Sequence, residues 1–406
     1  MPQADAHPPT ETEPHDLVLY GATGFTGRLT ARYLARNAPP GCRWALAGRN
    51  RDKLAGVRAE LAALRPECAD LPLLEADAGD PASLHRLAAG ARVVVSTVGP
   101  YLRHGEPLVA ACAEAGTDYL DLTGEPEFVD TMYLRYDAVA RRTGARLLHA
   151  CGFDSVPYDL GVQYTVERLP EGVPLRIDGY VRADATISGG TLASALDSFA
   201  RGPQTLRAAR ERRAAEPRPA DRRISTPTGG LRRVPLLDAW AVPLPTIDPQ
   251  IVARSASALD RYGPDFRYRH AAAVRHLPVA LGGVAGAGAL LGAAQLPAVR
   301  RALTSRLGSG EGPSEERRAR SSFSLRFLGE GGGRRLATEV AGGDPGYDET
   351  SKILAESALC LAFDELPALS GQLTPAVALG RPLLQRLLDA GLTFRVTHTG
   401  RTPTDA

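Results

Sequence analysis

The stretch "DLVLYGATGFTGRLTARYLARN", residues 16–37, joins a short apolar run to three glycines spaced three apart, Gly21, Gly24 and Gly27. A helical pattern follows directly. Few local patterns restrict a chain so strongly. Gly21 permits a tight turn, Gly24 lets the backbone approach a diphosphate with no Cβ in the way, and Gly27 lets the helix pack closely on the strand. Free N–H groups at the positive end of that helix then face the phosphates. Thr23, Phe25 and Thr26 lie in the same loop and belong to the same expected site. The plainer alternative is a glycine-rich turn without a ligand. The strand–turn–helix context argues against it.

The chain then repeats the strand–helix unit. Candidate strands fall at residues 17–20, 43–47, 73–75, 92–97, 119–122 and 146–149, separated by helical stretches such as 28–37, 51–64, 81–89 and 106–115. "RVVVSTV" is continuously apolar, as a strand covered on both faces of a parallel sheet must be. Residues 16–170 therefore read as a Rossmann α/β domain with a doubly wound parallel sheet. After about residue 171 the rhythm changes. "LRIDGYVRA" reads as a strand and "GTLASALDSFARG" as a helix. "SSFSLRFLGEGGGRRLATEVAGG" reads as an antiparallel hairpin and "YDETSKILAESALCLAFDEL" as an amphipathic helix. Residues 171–396 are expected to form an α+β domain on an antiparallel sheet, for substrate binding and dimerisation. Residues 1–15 and 397–406 read as tails.

The 406 residues carry a net charge of only +2, which points to neither nucleic acid nor an acidic partner for the molecule as a whole. Lys53 and Lys352 are its only lysines, so the list of candidate catalytic amines is almost empty. Five scattered cysteines without a CxxC pair argue against a disulfide framework or structural zinc and suit a reducing cytoplasm. The polar, Pro-rich start does not resemble a signal peptide.

Two segments stand apart. Residues 201–233 hold ten arginines against three acids. They read either as a solvated loop or as a docking surface for an acidic carrier protein. Residues 277–299 contain no charge, but their glycines, Pro278, Pro297 and Gln295 weaken a membrane span. A buried or surface-docked hairpin is the leading expectation, and a greasy lid touching lipid is the other. Arg269, Arg275, Arg300 and Arg301 flank the segment and suit anionic headgroups, which would place the protein at the inner face of the plasma membrane.

The second strand ends "WALAGRN", where a site for NAD usually carries an acid to bind the ribose. Arg49 stands there instead, with Lys53 after it. A guanidinium can grip a 2′-phosphate with two hydrogen bonds, whereas a carboxylate would repel it, so the expected cofactor is NADP(H). Asp77 contacts the adenine amino group or serves the next helix N-terminus, where Asp80 and Pro81 make the better cap. Thr97, Val98, Gly99 and Pro100, after the fourth strand, should line the nicotinamide end, with Tyr101 at the reacting face.

"GATGFTG", "AGRNRDKL", "STVGPY", "YLDLTGE", "CGFDSVPYDLG" and "LTPAVALGRPLLQRLLDAGLTF" together resemble the saccharopine dehydrogenase-like oxidoreductases, in order, over residues 16–396. The branch most similar is that of the actinobacterial trans-acting enoyl reductases. The resemblance implies an NADPH-dependent enzyme of lipid and glycolipid synthesis that reduces an enoyl group on a polyketide-synthase-bound chain. It also implies lipid contact, as in animal relatives. The same resemblance assigns the cofactor to Gly21, Gly24, Gly27, Arg49, Gly99 and Pro100. On the substrate side "CGFDSVPYDLG" offers Cys151, Asp154, Ser155 and Tyr158, and "DLTGE" offers Asp121, Thr123 and Glu125. Asp154 and Ser155 could equally cap the helix that starts at Pro157. No Tyr is followed four residues later by Lys, so the short-chain dehydrogenase acid/base pair is missing. The proton for the adjacent carbon is expected from Tyr101 or solvent, and Tyr101 and Asp154 are the candidate catalytic residues. Reduction of a carbonyl or imine, and a sensor or scaffold that binds NADPH without turnover, are the rival readings.

Overall fold

A computed structural model describes residues 13–184, 200–294 and 312–401. The amino-terminal half alternates strands and helices: β1 (His15–Tyr20), α1 (Phe25–Asn37), β2 (Trp44–Gly48), α2 (Arg51–Leu64), β3 (Leu73–Glu75), α3 (Pro81–Ala89), β4 (Ala91–Ser96), α4 (Tyr101–His104), α5 (Glu106–Ala115), β5 (Asp118–Asp121), α6 (Pro126–Thr143), β6 (Arg146–Leu148) and α7 (Val156–Val166). Local chemistry fixes many of these boundaries. Asn50 caps α2 by accepting from the Lys53 N–H. Asp80 caps α3 from Ala82, with Pro81 at the first helical position. Left-handed Gly116 and Gly144 stop α5 and α6.

The second half runs β7 (Leu175–Asp184), α8 (Gly202–Ala215), β8 (Arg223–Ser225), β9 (Arg232–Val234), β10 (Ala239–Pro243), α9 (Asp248–Ala258), β11 (Asp265–Val274), α10 (Leu277–Ala294), α11 (Glu315–Ala319), β12 (Ser322–Gly331), β13 (Arg334–Gly342), α12 (Asp348–Phe363), β14 (Gly371–Leu373), α13 (Pro375–Ala378), α14 (Gly380–Asp389) and β15 (Thr393–Arg401).

The first sheet is parallel throughout, in the order β14-β6-β5-β4-β1-β2-β3. Helices α1, α2 and α12 bury one face and α3, α5 and α6 the other, as the unbroken apolar strands require. The second sheet has the order β15-β13-β12-β7-β11-β10-β9, with β8 beside β11. It is mixed rather than purely antiparallel, because β11 pairs in parallel with both β7 and β8. The expected hairpin is β12–β13, turned by Gly332 and Gly333 in the left-handed region.

Four further expectations change. The first sheet is completed from the far end of the chain: β14 adds its seventh strand and α12 covers its face, so residue 170 is not a clean boundary. β15 pairs with β13 as far as Arg401, so the carboxyl-terminal tail starts after it. The arginine-rich segment is not a plain loop. Helix α8 spans part of it, and Arg201 pairs with Glu127, Arg212 with Asp130 and Glu216, and Arg232 with Asp178. Finally, residues 277–294 form one helix rather than a hairpin, with Val279 61%, Leu281 52% and Val284 46% exposed. Among the described residues no helix is long and apolar enough to cross a membrane. The helix expected at 190–202 falls almost wholly outside the described residues, as do residues 1–12 and 295–299.

Candidate active site

The carboxyl ends of β1, β4, β5 and β6 lie side by side in the first sheet, and doubly wound sheets hold their ligands in a crevice outside such strand ends. On its cofactor side the three glycines are constrained in three different ways. Gly21 has φ +88°. A Cβ on Gly27 would collide with the Gly21 carbonyl oxygen, so that position seats α1 on β1. Gly24 is the N-cap of α1, and no side chain caps that end. The only described atom near a Cβ placed there is the Gly21 carbonyl oxygen at 3.4 Å. The first-turn N–H groups thus face an open cradle, which fits a diphosphate.

Around the cradle, the Thr97 hydroxyl donates to the carbonyls of Tyr20 and Gly21, each at 3.2 Å, and ties the β4 loop to the β1 turn. Arg49 is exposed and makes no ion pair among the described residues; Lys53 is exposed beside it. That pair fits a 2′-phosphate. Asp77 is exposed, and its carboxylate accepts from the Gly79 N–H at 2.8 Å, which makes it a turn residue in this structure. Thr23 and Thr26 lie at the mouth of the turn. Phe25 packs edge-on against Tyr347 with ring centroids 4.9 Å apart.

Tyr101 is not free at the reacting face. It is buried, its hydroxyl donates to the Ser96 carbonyl at 3.0 Å, and it accepts from the Leu122 N–H at 3.2 Å. Burial pushes its pKa well above the ordinary tyrosine value, and Asp121 adds to the shift. This geometry makes Tyr101 a brace between the β4 and β5 loops and removes the support for a donor role. Val98, Gly99 and Pro100 form the link ahead of it. Glu125, also buried, accepts from the N–H groups of Tyr101 and Leu102 at 3.0 and 2.8 Å.

Asp154 is placed differently. It is partly accessible, and its Oδ2 lies 3.4 Å from where a Cβ on Gly124 would stand, at the β5 end of the crevice. Burial of the carboxyl raises its pKa to about 6, with no cation contributing. Ser155 is the N-cap of α7 but makes no side-chain cap bond; its hydroxyl donates to the Asp154 carbonyl at 2.6 Å. Cys151 is fully buried and burial pushes its thiol well up, which leaves it a core residue. Gly152 packs so closely on Leu122 that a Cβ would stand 2.7 Å from its side chain.

Sequence reasoning missed the group behind Asp154. Asp248, at the start of α9, is 2% exposed and its Oδ2 is 3.7 Å from His270 Nε2. Neither Asp248 Oδ1 nor His270 Nε2 has a hydrogen-bond partner among the described residues. The Tyr268 hydroxyl is 3.2 Å from His270 Nδ1, and Tyr158 stacks edge-on against that ring with centroids 4.9 Å apart. Burial lowers the His270 pKa to about 4 and raises that of Asp248 well above the usual carboxylate range. Burial thus disfavours the charged form of each group. Asp248 looks like an ordinary helix-start acid in sequence, so no local signal could have found it. His149 was also missed. A histidine just past a buried strand, separated from "CGFD" by Ala150 alone, was the available signal.

A family model described as the saccharopine dehydrogenase NADP binding domain matches residues 17–147. A Mycobacterium tuberculosis protein provisionally named a trans-acting enoyl reductase is 41% identical, over 94% of this chain and 97% of its own. The trans-acting enoyl reductase of Mycobacterium leprae is 38% identical, over 94% of this chain and 98% of its own. Among solved structures, apo saccharopine dehydrogenase (L-Glu forming) from Saccharomyces cerevisiae superposes with a TM-score of 0.51 at 11% identity, covering 94% of this chain and 99% of that one. At that identity the likeness concerns the fold alone.

Proposed function

This chain belongs to the trans-acting enoyl reductases, and from that premise we propose that it reduces the carbon–carbon double bond of an enoyl thioester. It is an NADP-dependent oxidoreductase, and NADPH when bound supplies two electrons as a hydride. The turn from Gly21 to Gly27 would hold the diphosphate, Arg49 and Lys53 the 2′-phosphate, and Thr97 to Pro100 the nicotinamide end. The β-carbon gains the hydride, and Asp154 gives its proton to the α-carbon. What the chain adds is orientation, exclusion of water and a proton at one atom.

The observation that carries this reading is the Asp154 carboxyl beside Gly124, with a pKa raised to about 6 and no paired cation. A carboxyl so placed keeps its proton closer to neutral pH than an exposed one would. Lipid or glycolipid assembly would consume the saturated chain. Three surfaces support the expected partners. Helix α8 carries Arg210 and Arg213 without ion pairs among the described residues, which suits an acidic carrier protein. The exposed apolar α10, with Arg275 before it, suits peripheral contact with an anionic membrane. A small cavity on the second sheet is lined by Arg182, Arg326 and Glu339, and in this reading that face would meet a second copy.

The test is NADPH oxidation by the purified protein with crotonyl-CoA and longer enoyl thioesters, beside ketone and imine acceptors. Oxidation with enoyl thioesters alone is the expected result. Turnover only of the ketones or imines would transfer the protein to the carbonyl or imine reading. Binding of NADPH without turnover of any acceptor would leave the sensor.

A further inference from the structure

Asp121 ends β5 and is completely buried, yet it meets no arginine or lysine among the described residues. Its carboxylate is filled by other donors. His149 Nδ1 donates to Oδ2 at 2.6 Å, and Oδ1 accepts from the N–H groups of Thr123 and Ala150, both at 3.0 Å. The Asp121 backbone carbonyl accepts from the Cys151 N–H at 2.7 Å. One residue therefore holds both loops that border the Asp154 end of the crevice, 122–125 ahead of it and 149–155 across from it.

The backbone between His149 and Cys151 is unusual. Ala150 has φ +58°, a left-handed conformation that its Cβ disfavours. Alanine offers no side-chain hydrogen bond to offset that cost. The conformation persists because the Ala150 and Cys151 N–H groups are both fastened to Asp121. His149 is fixed in its turn. The rings of Tyr119 and Phe128 stand edge-on to it with centroids 5.7 and 5.3 Å away, and its Nε2 is buried without a partner among the described residues. An imidazole with one nitrogen unpaired in an aromatic wall is oriented by its other nitrogen, here through Asp121. Four residues beyond Ala150 the chain reaches Asp154.

We propose that the Asp121–His149 pair is a positioning device that forces Ala150 into its left-handed turn and thereby aims the Asp154 carboxyl at the crevice. This rests on the reading of Asp154 as proton donor. Asp121 and His149 do not touch the reacting atoms in this scheme; they act through the backbone.

The test compares Asp121→Asn with the double variant Asp121→Asn/Ala150→Gly. Asparagine cannot accept at both of its terminal atoms, so it loses part of the clamp, while glycine adopts the left-handed turn unaided. The expected result is a fall in kcat of tenfold or more on crotonyl-CoA for Asp121→Asn, with the Kd for NADPH within twofold. Adding Ala150→Gly should restore at least half of the lost logarithm of kcat. A purely structural role predicts the reverse pattern, with NADPH affinity and melting temperature falling together and no recovery from glycine; that outcome overturns the proposal, as does an unaltered kcat in Asp121→Asn.

Should Asp121→Asn not fold, the pair His149→Gln and His149→Phe replaces it. Gln keeps a donor toward Asp121 and should stay within threefold of the natural kcat, whereas Phe should lose tenfold. Equal kcat in the two overturns the clamp. If the natural protein leaves every enoyl thioester untouched, the proposed reaction fails separately. The clamp is then read from hydrogen exchange at the Ala150 and Cys151 amides. Exchange at least tenfold faster in Asp121→Asn supports it, and unchanged exchange overturns it.

Discussion

At the residue scale the chemistry depends on how long one carboxyl keeps its proton. A pKa raised to about 6 means that Asp154 is protonated below that pH and ionised above it. At pH 7 the acid form is about a tenth of the total. As donor it should give a kcat/KM that is flat on the acid side and falls as pH rises through about 6. Asp154→Asn should lower kcat by roughly 10²–10⁴-fold and remove that limb, with NADPH affinity unchanged. The linkage has a definite sign. Ionising Asp154 costs the folded state more than the unfolded chain, a penalty that develops between the ordinary carboxylate pKa and about 6 and is complete above it. Asp154→Asn should therefore be no less stable than the natural protein at pH 8, so lost activity there would not be lost folding. Stopped-flow pH profiles and urea melts on both proteins check the pair of statements. The placement of the three glycines on the β1–α1 turn, of Arg49 after β2 and of Asp154 before α7 was legible because a three-residue spacing and a strand end are local facts. The Asp121–His149 pair and Asp248 were not, because their partners come from other elements and Ala150 owes its conformation to tertiary bonds.

Elements were legible wherever a boundary has its own chemistry. The caps at Asn50 and Asp80 set the starts of α2 and α3, and the Gly332–Gly333 turn announced β12–β13. Residues 277–294 misled because five glycines and a proline argue for broken structure. Pro278, however, is the second residue of α10, where its missing N–H costs nothing. The parallel pairing of β7 with β11 was invisible, since the two strands are joined across α8 and α9. Helix α8 shows how a charge run divides its work. Arg201 and Arg212 are committed to Glu127 and Asp130 on α6, while among the described residues Arg207 pairs with its helix neighbour Glu211. Arg210 and Arg213 make no ion pair among the described residues, and in the proposed reading they would meet the carrier protein. Replacing both with Glu should raise KM for a carrier-bound enoyl substrate about tenfold and leave KM for crotonyl-CoA within twofold. A matched rise for both substrates in steady-state assays would remove the docking role.

Across the whole molecule the chain leaves the first sheet after α7, builds the second, and returns to finish the first. That return is built on specific contacts. β14 pairs with β6 in register from Gly371 opposite Arg146, and the Gln372 N–H is accepted by Asp137 on α6 at 2.8 Å. Tyr33 on α1 donates to Glu356 on α12 at 2.7 Å. Arg92 and Arg146 donate to the α12 carbonyls of Ala362 and Leu361 at 3.0 and 3.3 Å. Ile353, Leu354 and Leu359 of α12 are fully buried in the core shared by both sheets. Exposing three such side chains costs about 5–9 kcal/mol at roughly 1.5–3 kcal/mol each, which matches the whole stability of an ordinary domain at about 5–15 kcal/mol. Residues 13–170 contain every cofactor residue named above, yet expressed alone they would show an uncovered sheet face and an open β6 edge. The fragment should be aggregated or molten by near-ultraviolet circular dichroism and bind no NADPH by calorimetry. Supplying residues 171–406 in trans should restore both signals, because the missing helix and strand lie on that piece. A fragment 13–170 that folds and binds NADPH alone would mean that α12 and β14 decorate a self-sufficient domain instead of completing it.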